Sequence, residues 1–416
     1  MRGGRIGYPS HTLCMWLSRP CSFTSVFRTV IPGLRCRRLS QASDIWKDPT
    51  VLRSRTVLRV SGSDAPRLLN NLCTRNILML SSQEMIYTTF LDPKKLVFDS
   101  FLWKNDDGDH FLDVESSLGP LALSHLKKYS LRMKVALEVA PINVVVAPPE
   151  MEKSNLALSL SNVCLSVTDP RSDRLGSRIY LEHEHEHLGS INDAPSCSMN
   201  PSSYHMHRSL LGVADSQDCP PDLVSPLEMN VEFLNGVDFS KGCYLGQELV
   251  AKSHFRGVVR KRVVPCFLGR SQADVQLLQD QFREAGGEII SGVGPAISFT
   301  AASHIQHRLM QAAGQVAPQI EESDSFLWAA ETASLERGGR KVGKLLSCTS
   351  QQHSSIGLAL IRLEPVFGSG EDSPPMLRQL DGSDTKIFPF LLSDHQWGMP
   401  SHWWPPAVEA SRVQLD

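Results

Sequence analysis

Two runs rich in apolar residues, Ile86-Tyr87-Thr88-Thr89-Phe90-Leu91 and Leu96-Val97-Phe98-Asp99-Ser100-Phe101-Leu102-Trp103, flank the tetrapeptide Asp92-Pro93-Lys94-Lys95. β-Branched and aromatic side chains suit a pleated surface, and Asp-Pro suits a tight turn, so the pattern predicts a β-hairpin. Before it, Thr56 to Val60 alternates like a strand, and Ser63-Asp64 ahead of Ala65-Pro66 opens a helix with Leu68, Leu69 and Leu72 on one face. After it, a strand from His110 to Val114 leads into a helix carrying Leu121, Leu126 and Tyr129. Strands and helices interleave but hairpins dominate, which predicts an α+β fold over a doubly wound sheet.

Further along, residues 158–181 read as two strands around the turn-rich Asp169-Pro170-Arg171-Ser172-Asp173, and 189–202 as a loop. A helix is predicted from Ser202 through Leu211, stopping at Gly212. From Val258 the pattern turns to short strands, at Val258-Val259, Arg262 to Phe267, Lys341 to Leu346 and Ile356 to Ile361, as in a small antiparallel barrel or sandwich. The expected organisation is an N-terminal α+β domain over 48–145, a second over 146–257, a C-terminal β-barrel over 258–366 and a tail over 367–416. The Ala-, Gln- and Ser-rich segment within 271–337 is expected to be a disordered insertion in the barrel.

Residues 1–43 carry Arg2, Arg5, Arg19, Arg28, Arg35, Arg37 and Arg38 and no acid, which is the composition of a mitochondrial transit peptide and predicts a matrix protein. No stretch approaches the roughly 18 apolar residues of a membrane span, and a formal net charge of -2 gives no overall pull toward nucleic acid or acidic lipid. Neither partner is expected. Three of the ten cysteines lie in the leader, and the others show no CxxC pair, so neither a disulfide framework nor a closed zinc site is predicted. His183-Glu184-His185-Glu186-His187 satisfies HExxH but follows a strand-like Arg178 to Leu181, so it reads as an exposed hairpin end. Gly338 to Leu345 lacks the Ser or Thr of a phosphate loop and reads as a strand-turn-strand corner; His304 and His307 read as a chance pair.

The stretch with most chemical content is Lys241-Gly242-Cys243-Tyr244-Leu245-Gly246-Gln247-Glu248. Its glycines permit tight turns or positive φ. Lys241 would favour a thiolate at Cys243 if the two side chains meet, and a thiolate is both nucleophile and soft metal ligand. Gln247-Glu248 is expected to enter a helix with Leu249-Val250-Ala251. The competing structural reading is a glycine-rich turn whose cysteine merely packs.

This octapeptide resembles the long signature of the YgfZ branch of the folate-binding T-protein (aminomethyltransferase) family. Gly62-Ser63-Asp64-Ala65, Leu91-Asp92 to Asp99, Tyr129 to Val135, Val342-Gly343-Lys344, Gly357 to Leu360 and Trp403-Trp404-Pro405 look like further blocks of it. The resemblance implies a multi-domain folate-binding fold and a mitochondrial iron-sulfur assembly factor acting late in [4Fe-4S] protein maturation with an A-type scaffold protein. It also implies tetrahydrofolate as cofactor, with Glu228 at the pterin, Asp99 near the reaction centre and Arg256, in a basic run with Lys252, Arg260, Lys261 and Arg262, toward the glutamate tail. Cys243 would be a transient ligand of a shared cluster. Asp99 and Cys243 are the catalytic candidates, but Phe98 stands where the family places a second acid, which argues against aminomethyl transfer. A folate-dependent one-carbon transferase and an interaction module without folate remain the two competing readings.

Overall fold

The structure is a computed structural model, and it describes residues 46–82, 84–93, 95–151, 162–182, 197–198, 200–219, 223–256, 259–269, 298–300, 334–337, 340–351, 354–363 and 386–389. The leader, the His183–His187 motif, His304, His307 and the tail beyond 389 lie outside them. In chain order the elements are β1 Thr50–Val51, β2 Arg55–Ser61, α1 Ala65–Leu72, β3 Met85–Leu91, β4 Leu96–Lys104, β5 His110–Glu115, α2 Gly119–Tyr129, β6 Ala136–Ala140, β7 Ile142–Ala147, β8 Val163–Thr168 and β9 Ser177–Glu182. There follow α3 Ser202–Leu210, α4 Gln247–Ala251 with a π-turn over Lys252–Arg256, β10 Lys261–Gly269, β11 Ser298–Thr300, β12 Ser334–Arg337, β13 Arg340–Gln351, β14 Ser354–Arg362 and β15 Lys386–Pro389.

The strands form three sheets, in the orders β3-β4-β5-β2-β6, β1-β7-β9-β8 and β11-β12-β13-β14-β10-β15, and every ladder between them is antiparallel. The predicted α+β mixture and the β3–β4 hairpin are present. Asp92 closes the hairpin by donating its N–H to the Lys95 carbonyl, 3.0 Å, and accepting from the Lys95 N–H, 2.9 Å. In the third sheet no ladder joins β11 to β15 among the described residues, so what is seen is a six-stranded antiparallel sheet. Parts of the segment expected to be a disordered insertion are strands of that sheet, β11 and β12; their few alternating residues were too short a pattern to stand out.

β4 is buried from Leu96 to Trp103, because both of its faces are covered. Phe98 and Leu102 pack with Leu68, Leu69 and Leu72 of α1 and Leu126 of α2. Phe101 and Trp103 face the other way, into the cluster that unites all three sheets. α1 starts at Ala65-Pro66 as expected, but Asp64 does not cap it with its side chain. The Asp64 carboxylate instead accepts from the Lys134 N–H at 2.7 Å, tying the helix start to the entry of β6.

Where the sheets meet, the core is ionic. Asp113 of β5 accepts from Arg55 Nε of β2 at 2.6 Å, from Arg178 Nη2 of β9 at 2.7 Å and from the Tyr180 hydroxyl at 2.9 Å. Asp169 holds Arg171 through both oxygens, 3.0 and 2.8 Å, and Arg171 continues to the Tyr204 hydroxyl on α3 at 3.2 Å. The Phe101 ring lies beneath three of these cations, 3.8 Å from Arg178, 4.7 Å from Arg171 and 5.7 Å from Arg55. A second group follows α3: Arg208 pairs with Asp218, and Ser347 of β13 donates to Asp218 at 2.6 Å, so the third sheet is tied to α3. Burial would raise the Asp113 carboxyl, but Arg55 and Arg178 hold it below its ordinary value.

Glu115 is the exception. It sits opposite Arg55 in the β2–β5 ladder, yet its Oε2 has no hydrogen bond and Arg55 Nη1 stays 3.9 Å away. Burial pushes this carboxyl up to about 8; Arg55 opposes the shift, and Asp215, Asp99 and Asp113 add to it. A raised carboxyl pKa stabilises the fold below the unfolded value and loses that contribution as pH rises through the folded value. The buried His110, His125, His205 and His207, all shifted down chiefly by burial, act in the opposite sense, because their unfolded forms still bind protons around and above about pH 6.5 and stability from them rises with pH. Glu115→Gln removes the falling contribution and leaves the others, so in thermal melts the melting temperature of the variant minus that of the parent should rise between about pH 6.5 and pH 8.

Candidate functional site

The octapeptide forms a loop seated on the end of α1 and the tip of the β3–β4 hairpin. Its approach is pinned by the Asp238 N–H donating to the Thr74 carbonyl at 3.0 Å, and its middle by the Leu245 N–H donating to the Asn71 carbonyl at 2.9 Å. Gly246 has φ +79, and a Cβ there would stand 2.5 Å from Leu91 Cβ and 2.7 Å from the Asp92 carbonyl oxygen. Only glycine meets both demands. Gly242 is different: a Cβ there would meet nothing within 4 Å, so the first glycine of the pattern is not a steric requirement of the fold. The loop then runs into α4 as expected, and Glu248 is exposed with Lys252 at 2.8 Å. Gln247 is half-buried at the start of α4.

Cys243 is exposed and Tyr244 half-buried. Lys241 does not serve Cys243. Its ammonium turns inward, donates to the carbonyls of Cys73 at 2.6 Å and Arg75 at 2.7 Å, and lies 3.7 Å from Cys73 Sγ and 5.1 Å from the Tyr244 ring centroid. The expected Lys241–Cys243 pairing is corrected: two backbone carbonyls at the end of α1 outbid an exposed thiol for a charge that must be buried. Burial lowers the Lys241 ammonium while Cys73 opposes that shift; burial raises the Cys73 thiol while Lys241 opposes it.

Asp99 is buried with both oxygens engaged. Oδ2 accepts from the Tyr87 hydroxyl at 2.8 Å, and Oδ1 accepts from the Ser216 N–H at 3.1 Å and from the Ser216 hydroxyl. Phe98 stacks on Phe90 at 4.6 Å, on the opposite face of β4. An acid at position 98 would have pointed toward α1 and α2, so its absence says nothing about the Asp99 side. What restrains Asp99 chemically is its satisfied hydrogen bonding.

Glu228 lies elsewhere, in the turn beneath β10. Its Oε2 accepts from the Ser225 N–H at 2.9 Å, one half of a Ser-Pro-Leu-Glu capping box, and its Oε1 is 4.0 Å from Lys261 Nζ. Of the basic run, Arg262 is buried on Glu232, Asn230 and the Leu227 carbonyl; Lys261 faces Glu228, and Lys252 faces Glu248. The backbone of Arg256 ends the π-turn and its side chain lies outside the described part. Among the described residues no hydrogen bond joins Asp99, Glu228 and Cys243, and no group of three potential metal-ligating side chains is present. Sequence reasoning missed Arg55, Asp113, Asp169, Arg171, Arg178, Arg208, Asp215 and Asp218. The signal available was charge on the inward phase of strands, as at Asp113 between Leu112 and Val114.

No family model matches the chain. It is 30% identical over 393 residues to the mitochondrial iron-sulfur cluster assembly factor IBA57 homolog of Mycosarcoma maydis, covering 88% of this chain and 86% of that one. The IBA57 homolog of Pyricularia oryzae is 30% identical over 321 residues, covering 76% and 72%. Human mitochondrial IBA57 is 33% identical over 261 residues, covering 56% and 71%. In three dimensions the chain resembles the glycine cleavage system aminomethyltransferase T from Bartonella henselae, with a TM-score of 0.55 at 10% identity, covering 85% of this chain and 88% of that one; the likeness is one of fold.

Gly246→Ala should cost about 2 kcal/mol or more, the sum of left-handed strain and the clash with the β3–β4 tip. Gly242→Ala should change stability by less than about 0.5 kcal/mol, as exposed substitutions usually do. Urea unfolding of the two variants beside the parent checks both.

Proposed function

We propose, on the premise that this chain belongs to the IBA57 family of mitochondrial iron-sulfur cluster assembly factors, that it acts in the mitochondrial matrix, late in [4Fe-4S] protein maturation, and that Cys243 is its working group. The observation that carries this reading is the contrast along one loop: Lys241 and Leu245 are bonded to the end of α1, while Cys243 between them is exposed. A thiol held on a fixed base can enter the coordination sphere of iron on a partner without the entropy cost of ordering a free loop. The cluster is cargo, shared transiently with an A-type scaffold protein, whose own cysteines supply the remaining ligands. A packing cysteine could not reach them.

Tetrahydrofolate is the implied cofactor. Glu228 fits one edge of it: Oε1 is free of hydrogen bonds and Oε2 has spare lone-pair capacity for an N–H pair of the pterin. When bound, folate would supply one-carbon carrier chemistry. The chain's own part would be to hold the pterin edge at Glu228. Asp99 is enclosed and bonded to Tyr87 and Ser216, which favours a binding role over aminomethyl transfer.

In cells depleted of the endogenous protein, Cys243→Ser at matched abundance should fail to restore [4Fe-4S] enzymes such as aconitase while [2Fe-2S] proteins stay normal, because serine keeps the size and loses soft ligation. Full rescue by the serine form would remove Cys243 from the account.

A further inference from the structure

The geometry points to a redox-formed covalent bridge between Lys241 Nζ and Cys73 Sγ, a modification site that fastens the signature loop to the end of α1. Four observations carry it. Nζ lies 3.7 Å from Sγ, a gap that the lysine's four-carbon stem can close to bonding distance. Two carbonyls, those of Cys73 and Arg75, hold the nitrogen in place beside the sulfur. Among the described residues no carboxylate lies within ion-pair distance of Lys241, so the thiol is its one neighbour able to react with it. Finally, both side chains are buried but Gly242, the next residue, is exposed, so a water-sized oxidant has a short path to the pair when the loop opens locally.

The oxidant is a peroxide. In the first step Cys73-SH and H2O2 give Cys73-SOH and water: the O–O bond breaks, sulfur loses two electrons and the peroxide gains them. In the second, Lys241, having released its ammonium proton to water, attacks Sγ through the nitrogen lone pair. The S–N bond forms, the S–O bond breaks, and hydroxide leaves with a proton from nitrogen as water, with no further change in oxidation state. The product is a sulfenamide joining positions 73 and 241, and two equivalents of an external thiol return it to free thiol and amine with release of a disulfide. The burial that raises the Cys73 thiol slows the first step, and the burial that lowers the Lys241 ammonium helps the second. The loop that carries Cys243 would thus be braced under oxidising conditions. The inference does not depend on the role given to Cys243.

The test is peroxide titration of the full chain followed by non-reducing digestion and mass spectrometry. The expected result is a peptide pair joined between Cys73 and Lys241, lighter than the two free peptides by two hydrogens and separated by added thiol. Cys73→Ser should abolish it, and Lys241→Arg should leave Cys73 as a sulfenic acid captured by dimedone. Cys73 recovered as a free thiol or sulfinic acid in the parent protein, with no Lys241-linked peptide at doses that fully oxidise Cys243, would overturn the proposal.

Discussion

Asp113 is the residue on which the first two sheets meet. It is fully enclosed and accepts from an arginine on its own sheet, an arginine on the second sheet and a tyrosine beside that arginine. Carrying so many charges into an interior is expensive, and it is tolerated only where each finds a partner of opposite sign or a hydrogen bond. Removing one member leaves its partner buried and uncompensated, at a cost of about 3–5 kcal/mol. The network therefore does more to select one arrangement of the sheets than to add stability over an apolar core. Arg171, Tyr204, Arg208, Asp218 and Ser347 extend the same constraint through α3 to the third sheet.

The signature loop repeats the logic on a smaller scale. A lysine whose charge is buried needs acceptors, and the chain just past α1 offers the carbonyls of Cys73 and Arg75. Lys241 satisfies them, and in doing so fixes the loop at one point; Leu245 and Gly246 fix it at two more. Exposure of Cys243 follows from the residues on either side of it being held down. The chemistry of the loop is thus set by backbone geometry and by which atoms the lysine reaches, and not by adjacency along the chain.

Much of the scaffold was legible because it obeys local rules. The β3–β4 hairpin announces itself by its turn, α1 by Ala65-Pro66 and its leucine face, and α3 by its stop at Gly212. The octapeptide was legible as a motif, and its resemblance led to the family that the relatives establish. The ion network was not legible. Asp169-Pro170-Arg171 has the composition of an exposed turn, and nothing local distinguishes a surface charge from one whose partner is carried 58 or 65 residues away, as Asp113 is from Arg55 and Arg178. The direction taken by Lys241 was hidden for the same reason: its partner thiol is 168 residues distant. Phe98 and Asp99 show a further limit, since residues adjacent in a strand face opposite layers and cannot act as a pair.

The central claim is that buried charge fixes a loop from which one thiol is presented to a partner. Timed alkylation of the native protein, with each cysteine followed by mass spectrometry, tests it directly. The account predicts rapid modification of Cys243, with Cys219, Cys266 and Cys348 protected until the protein unfolds. Protection of Cys243 to the same degree as those buried thiols would contradict it.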